Sequence, residues 1–215
     1  MNMPIPTPID RLTHVDNLAV CMQRQAIYAP MYRPNDTLAH KSIHNSEMQQ
    51  RRTATRIPCG PGGTIHDYVP FYFGYLSPML LQLRTGRVAG YGEGQEPLIY
   101  FVSSVQAVSE SRQPFVFSDG HGIAFNTRWY DTLESLYKVD WGMVYQRYWK
   151  DTVDDMDRQR RKQAEFLIYQ RCNWNLICEI GVISSYMKTR VQQIMAGFPA
   201  TSQKPVNIRS NWYYH

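Results

Sequence analysis

The segment RRKQAEFLIY, residues 160–169, sets Glu165 where a basic run turns into an apolar one. In a strand, alternation places Glu165, Leu167 and Tyr169 on one face and Ala164, Phe166 and Ile168 on the other. A carboxylate at such a junction is either a solvated strand end or a cleft group that holds a sugar hydroxyl and faces a developing cation. Pattern alone favours the solvated end. HKSIH places His40 and His44 four residues apart, which is metal-ligand spacing on a helix. No acidic or cysteine third ligand lies nearby in sequence, so no metal site is expected. Cys59 and His66 lack a protease-like local signature. GYGEGQ, residues 90–95, lacks the strand–G-x-G-x-x-G–helix context of a dinucleotide fingerprint. There is no P-loop and no nucleophile elbow.

Trp141, Tyr145, Tyr148 and Trp149 precede Arg158, Arg160, Arg161 and Lys162. Rings that stack bases beside cations that track phosphates are what single-stranded nucleic acid requires. Aromatics at helical spacing also pack cores, and a charged run also solvates a loop.

Several elements must position these groups. IDRLTHV reads as a strand, followed by a helix from about Asp16 to Gln25 with Thr13 placed to cap it. Met31 to His40 reads as a loop, and KSIHNSEMQQRRTATR as a helix ending before Ile57–Pro58. YVPFYF is a strand, and SPMLLQLRTG a short helix opened by Pro78 and closed by Gly86. LIYFVSSV and FVFSDG are strands joined by VSESRQ as a connection. WYDTLESLYKVDWGMVYQRYWK has helical character, and DTVDDMDRQRRKQ is a charged loop or irregular helix. AEFLIYQ and ICEIGVIS are strands, KTRVQQIMAG a helix, and PVNIRSNWYY a final strand. Short strands among helices, with loops too brief for regular crossovers, predict an α+β fold.

The 215 residues suit a single domain over 1–215. Hydrophobic residues make up 43%, enough for a core, and the net charge of +5 permits a polyanionic partner. Cys21, Cys59, Cys172 and Cys178 form no C-x-x-C, which suits reduced thiols and a cytoplasmic protein. The N-terminal MNMPIPTPID has no basic-then-apolar signal. YVPFYFGYLSPMLLQL is broken by Pro70, Gly74 and Pro78 and is shorter than the ~20 residues of a membrane span.

Taken in order, IDRLTHVDNLAV, MQQRRTATRIPCGPGGTIHDYVPFYFGYLSPML, GQEPLIYFVSSVQAV, PFVFSDGHG, VDWGMVYQRYW, RRKQAEFLIY and VNIRSNWYY cover nearly the whole chain. Together they resemble the DarT toxins, which ADP-ribosylate DNA bases. The resemblance implies the ADP-ribosyltransferase fold, two abutting small sheets with surrounding helices and NAD in the cleft between them. RLT implies Arg11, Leu12 and Thr13 as contacts to NAD, with His14 adjoining; many relatives have His at the Arg11 position. Tyr28 is a further implied NAD contact. FYFGYLSPM implies Tyr72 and Phe73 at the nicotinamide, with Ser77 and Met79 close by.

The same resemblance makes Glu165 the catalytic carboxylate. It implies an arginine from QQRR, Arg51 or by alignment Arg52, that acts in catalysis and also contacts NAD. A guanidinium is protonated at any ordinary pH. That arginine therefore serves better to polarise the base and stabilise its anion, or to pair with the pyrophosphate, than to take a proton. The loop before Glu165 implies Tyr148, Trp149, Arg158 and Arg160 as DNA contacts, with His121 as a further one. The basic run Arg158–Lys162 is expected to help keep Glu165 ionised. The function implied is NAD-dependent transfer of ADP-ribose to a base, thymine in the closest branch, in single-stranded DNA, by a toxin paired with a DarG-like macrodomain antitoxin. Guanine, RNA or protein as acceptor, or a catalytically silent nucleic-acid-binding module of the same fold, are the alternatives.

Overall fold

Two strands that carry site candidates, residues 68–72 and 165–169, lie side by side, and a third, residues 8–14, completes the group. The computed structural model describes residues 3–215; Met1 and Asn2, part of the expected single domain and of the N-terminal stretch read for a signal, lie outside the described residues. The strands are β1 (Pro8–His14), β2 (Ala26–Tyr28), β3 (Tyr68–Tyr72), β4 (Leu98–Ser104), β5 (Phe115–Ser118), β6 (Trp129–Tyr130), β7 (Glu165–Tyr169), β8 (Arg171–Asn173), β9 (Glu179–Val182) and β10 (Val206–Ile208). The helices are α1 (Asn17–Arg24), α2 (Ser46–Ala54), α3 (Pro78–Arg84), α4 (Val105–Glu110), α5 (Trp141–Val144), α6 (Arg158–Lys162) and α7 (Ser185–Met195).

The class is α+β, and the two sheets are unequal. One has eight strands in the order β10-β9-β4-β1-β3-β7-β5-β6; the other pairs β2 with β8. All pairings are antiparallel except β9 with β10.

Strand alternation sorts the side chains of β3 and β7. Val69, Phe71, Phe166 and Ile168 enter the main core, where Phe101, Phe117, Trp174 and the α7 residues Met187 and Val191 meet them. On the opposite face Tyr68 and Leu167 pack with Ile57, Ile65 and Val116 in a small cluster. Pro70, Tyr72 and Glu165 share this face. A third cluster joins Leu12, Leu80, Leu83, Leu98, Tyr100 and Tyr213 under α3.

Local chemistry sets the helices that border the site. Asn45 caps α2 by accepting from the Met48 N–H at 3.1 Å, and Ser77 caps α3 by accepting from the Leu80 N–H at 3.2 Å. Each cap is worth about 1 kcal/mol. Pro78 occupies the first turn of α3, where its missing N–H costs nothing. Gly74 is required after β3, because a Cβ there would lie 2.2 Å from the Val144 carbonyl oxygen. The buried Lys162 ammonium ties the same region together, donating to Tyr75 O at 2.7 Å and Val144 O at 2.6 Å.

Several expectations need correction. Thr13 does not cap α1; it lies in β1 and its hydroxyl accepts from Asn17 Nδ2 at 3.0 Å. His40 and His44 precede α2, so the spacing of HKSIH is not helical. VSESRQ supplies the end of α4 rather than a plain connection. The long stretch from Trp129 breaks into β6, a 3-10 turn at Leu133–Lys138 and the single turn of α5. Of its rings, Tyr130 stacks on Phe117 of β5 and Trp141 meets Phe73, whereas Tyr137 and Tyr148 are exposed. The short partners β2 and β8 have no strong pattern of their own.

Candidate active site

The Arg52 guanidinium grips the Glu165 carboxylate at two points, Nη1 to Oε1 at 3.2 Å and Nη2 to Oε2 at 2.8 Å. Glu165 is 1% exposed and Arg52 9%. The Gly122 N–H donates to Oε1 at 3.0 Å, and the Glu165 N–H donates to Ser118 Oγ at 3.1 Å. The Ser118 hydroxyl in turn donates to Gly120 O at 2.6 Å. The carboxylate is thus fixed from three sides, by α2, by the turn after β5 and by its own strand. Glycine lets the turn at Gly122 lie close: a Cβ would stand 3.0 Å from Glu165 Oε1 and 3.0 Å from Ile65 Cδ1, and those side chains would have to give.

Burial pushes the Glu165 carboxyl up, but the Arg52 charge and hydrogen bonds outweigh it and hold the group below its usual range. Burial acts to lower Arg52, and Glu165 more than reverses that, so the guanidinium is protonated more firmly than usual. Arg52 is therefore a fixed cation. Of the expected basic run, Lys162 is spent on main-chain carbonyls; the cation that keeps Glu165 ionised is Arg52.

Both groups stand in a cleft of about 390 Å³, within the range of small-molecule sites. Arg11, Leu12, Tyr28, Tyr72 and Met79, put forward for NAD, line it, and so does His121, put forward for DNA. Arg51 lines it too, but Arg52 is the arginine that reaches Glu165. Arg11 anchors by donating from Nη1 to Pro70 O at 2.9 Å. Burial and the neighbouring Arg33 and Arg52 lower it to about 10, partly offset by Cys21. Tyr72 pairs in register with Glu165; burial, then the Glu165 charge, raises its phenol, so it stays neutral. His121 is pushed down by burial, with Glu165 opposing, and is a neutral imidazole at pH 7.

Other expected residues lie elsewhere. Phe73 is in the core against Phe117, Trp141 and Phe166, because it alternates with the cleft-facing Tyr72. Ser77 is buried and used as the α3 cap. Thr13 is held by Asn17. His14 is engaged by Asp16 and Glu93, both at 3.2 Å, in a network outside the cleft. None of these four lines the cleft.

The expected DNA contacts also divide. Tyr148, Trp149 and Arg158 line a second depression with Arg147, Lys150 and Tyr214. Helix α3 runs between the two, with Leu81 on this depression and Met79 and Gln82 on the cleft. Tyr148 is 79% exposed, whereas Trp149 is 6% exposed and donates from Nε1 to Tyr214 Oη at 2.7 Å. Trp149 is therefore a packed ring, not an open stacking platform. Arg158 donates to Tyr148 O and Lys150 O. Arg160 is not free for phosphate: Asp119 and Asp157 bind it at 2.7–2.8 Å. Its carbonyl also accepts from the His121 N–H at 2.9 Å. Arg161 is likewise engaged by Asp140 and Asp155.

Sequence reasoning missed Gly122, Arg33, Gln49, His66, Gln159 and Gln163, all of which touch Glu165 or line the cleft. Only Gly122 had a readable signal, the Gly-His-Gly turn after a strand. The others come from loops and helix ends whose direction depends on the fold. Among the described residues no group of three His, Cys, Asp or Glu could hold a metal, and no helix is long and apolar enough to cross a membrane.

Comparison with known proteins agrees across the chain. The family model described as "ssDNA thymidine ADP-ribosyltransferase, DarT" matches residues 11–214. A DNA ADP-ribosyl transferase of Thermus sp. (strain 2.9) is 40% identical over 211 residues, 98% of this chain and 98% of the relative. The solved Thermus sp. 2.9 DarT in complex with ADP-ribosylated ssDNA is similar at TM-score 0.93 and 39% identity, over 100% of this chain and 99% of that one. The same Thermus protein in complex with NAD+ is similar at TM-score 0.88 and 38% identity, over 99% and 100%.

Proposed function

We infer what the cleft does from one premise: this chain belongs to the DarT family. It is an NAD-dependent DNA ADP-ribosyltransferase. The acceptor we propose is thymine in single-stranded DNA, with one domain carrying both substrates. The observation that carries the residue assignment is the Arg52–Glu165 pair, whose carboxylate is, among the described residues, the only one lining a cleft that holds four arginines.

The reaction breaks the bond between nicotinamide and the ribose anomeric carbon. Nicotinamide leaves with the bonding electrons, and positive charge spreads over that carbon and the ring oxygen. Glu165 is the group assigned to this cation. A carboxylate has about four acceptor positions; Arg52 and the Gly122 N–H occupy three. The remaining one accepts the ribose 2′-hydroxyl, orienting the sugar while the negative charge stabilises the cation. Tyr72, neutral and beside Glu165, offers its ring to the nicotinamide. Leu12, Tyr28, Met79 and Arg11 complete the NAD contacts in this reading.

Thymine N3 carries a proton and attacks only as it is lost. Arg52 cannot take it, since it is held protonated; its role is to stabilise the N3 anion. His121, neutral and in the same cleft, accepts the proton or passes it to solvent. A toxin role with a DarG-like macrodomain partner, in the cytoplasm, completes the proposal.

The test incubates the protein with NAD and short single-stranded oligonucleotides and follows products by mass spectrometry. Addition of one ADP-ribose to thymine-containing strands only, lost in Glu165→Gln, is expected. Transfer to guanine, RNA or protein instead would replace the acceptor, and full activity in Glu165→Gln would remove the central assignment. Co-expression with a macrodomain that strips the adduct is expected to relieve growth arrest.

A further inference from the structure

The HKSIH segment finds no role as a metal site, yet both its imidazoles line the cleft. They lie on the loop between the 3-10 turn at Pro30–Tyr32 and α2. His40 Nδ1 is a buried polar atom without a hydrogen-bond partner. The charged groups that act on His40 are Arg11 on β1, Arg33 on the loop and Arg24 on α1. Those that act on His44 are Arg11, Arg33, Arg52 on α2 and His40 itself. No carboxylate is among them. Arg24 is already paired with Asp36, which leaves Arg11 and Arg33 as the cations that share this end of the cleft. His66 and His121 are the other imidazoles of the cleft; Tyr28, Tyr68 and Tyr72, the Arg51 and Arg52 guanidiniums and the Glu165 carboxylate are its other titratable side chains.

Two neutral imidazoles crowded by arginines, one with an unsatisfied nitrogen, form a site for a group with several acceptor oxygens and more than one negative charge. We propose that His40 and His44, with Arg11 and Arg33, bind the pyrophosphate of NAD, and that binding draws a proton from solvent onto this histidine pair. The proposal rests on the reading that NAD is the substrate and adds where its charge sits and what that does to protonation.

The physical sequence is direct. In the free protein burial and the adjacent arginines hold His40 at about 4 and His44 at about 3, so both are neutral at pH 7. A pyrophosphate brings two negative charges against them and favours the charged form. A proton is taken up as NAD binds and returned when ADP-ribose has been transferred and the site empties. Affinity for NAD therefore rises as pH falls, by up to tenfold per pH unit for each proton taken up. Glu165, already held below its usual range, does not contribute a slope near neutrality.

Titration calorimetry of the full chain in buffers of different ionisation enthalpy, at pH 6, 7 and 8, reads the proton count. NAD and ADP-ribose, which both carry the pyrophosphate, are expected to bind with proton uptake that grows toward pH 6. Nicotinamide riboside, which lacks it, is expected to bind without. In His40→Gln/His44→Gln the uptake is lost and NAD affinity becomes independent of pH. NAD binding by the wild type with no proton exchange overturns the proposal, and this arm needs no variant to fold. Uptake that persists in the double variant, or that a single-stranded oligonucleotide alone reproduces, overturns it as well. No NAD binding at any pH overturns the proposed function itself, which separates the two failures.

Discussion

Arg52 and Glu165 stand 113 residues apart in the chain and meet through two hydrogen bonds of 2.8 and 3.2 Å in a buried site. Neither charge is tolerable there alone, because an uncompensated buried ion costs several kcal/mol. The pair therefore joins the fold to the proposed chemistry: the contact that keeps the carboxylate ionised also holds α2 against β7.

Removing the guanidinium tests both sides. Arg52→Ala is expected to destabilise the fold by about 3–5 kcal/mol and to raise the Glu165 carboxyl, since burial then acts unopposed. In the wild type Glu165 itself places no acid limb on activity above the ordinary carboxylate value of about 4.3. In the variant the acid limb of kcat/KM moves toward neutrality. The same linkage applies to stability: the depressed carboxylate stabilises fully above its unfolded value and loses that contribution as pH falls through the folded one. Arg52→Lys keeps the charge without the fork and should fall between. A pH profile unmoved in both variants would contradict this account.

Gly122→Ala probes the turn that donates to Glu165. The added methyl meets the carboxylate and Ile65 at 3.0 Å, so the turn must withdraw and the Oε1 hydrogen bond lengthens. Loss of one such donor costs roughly 10²-fold or more in kcat, with a shift in Tm of only a few degrees. Equal losses in kcat and in Tm-matched control variants would instead indicate general unfolding.

Arg160 and Arg158 should separate cleanly. Arg160 is spent on Asp119 and Asp157 and on the His121 turn. Arg160→Ala is expected to lower Tm and kcat while leaving the salt dependence of oligonucleotide binding unchanged. Arg158 donates only to main-chain carbonyls beside the exposed Tyr148. Arg158→Ala should reduce the slope of log affinity against log salt by about 1. Binding measured from 50 to 300 mM salt, by fluorescence anisotropy, decides between them.

Asp10 offers a stability experiment away from the cleft. It is buried in β1 with Oδ1 unpartnered, and burial raises it to about 7, with Lys162 partly offsetting. An acid whose folded value exceeds its unfolded 3.8 makes the fold less stable as pH rises from about 4 to about 7. Asp10→Asn should match the wild type at about pH 4 and below, and exceed its Tm by several degrees at pH 8. A constant difference at all pH values would mean that Asp10 is not titrating in this range.

Much of the fold was legible because β1, β3, β4, β5, β7 and α3 each carry a clear period, cap or turn signal. Glu165 shows the limit. Strand alternation placed it correctly beside Leu167 on one face, yet nothing in the pattern said that α2 would cover that face. The resemblance to a family supplied the role, and the structure supplied the partner. Phe73 and Trp149 failed for a related reason: an aromatic residue carries the same pattern whether it lines a cleft or fills a core, and only packing distinguishes them. Arg160 and Arg161 looked like a solvated basic run because only some of their carboxylates, Asp155 and Asp157, lie nearby; Asp119 and Asp140 arrive from distant turns.

The separation of Arg52 from Glu165 also has a meaning in time. A ribosome adds roughly 5–20 residues per second, so the guanidinium emerges about 6–23 s before the carboxylate that answers it. Strand β3 likewise waits for β7, and β4 for β9, over somewhat shorter intervals. Through that period the nascent chain holds the arginines of the cleft but not the Glu165 carboxylate. Synthesis itself thus delays assembly of the cleft, and a translation arrested before residue 165 releases a fragment without the carboxylate that pairs with Arg52.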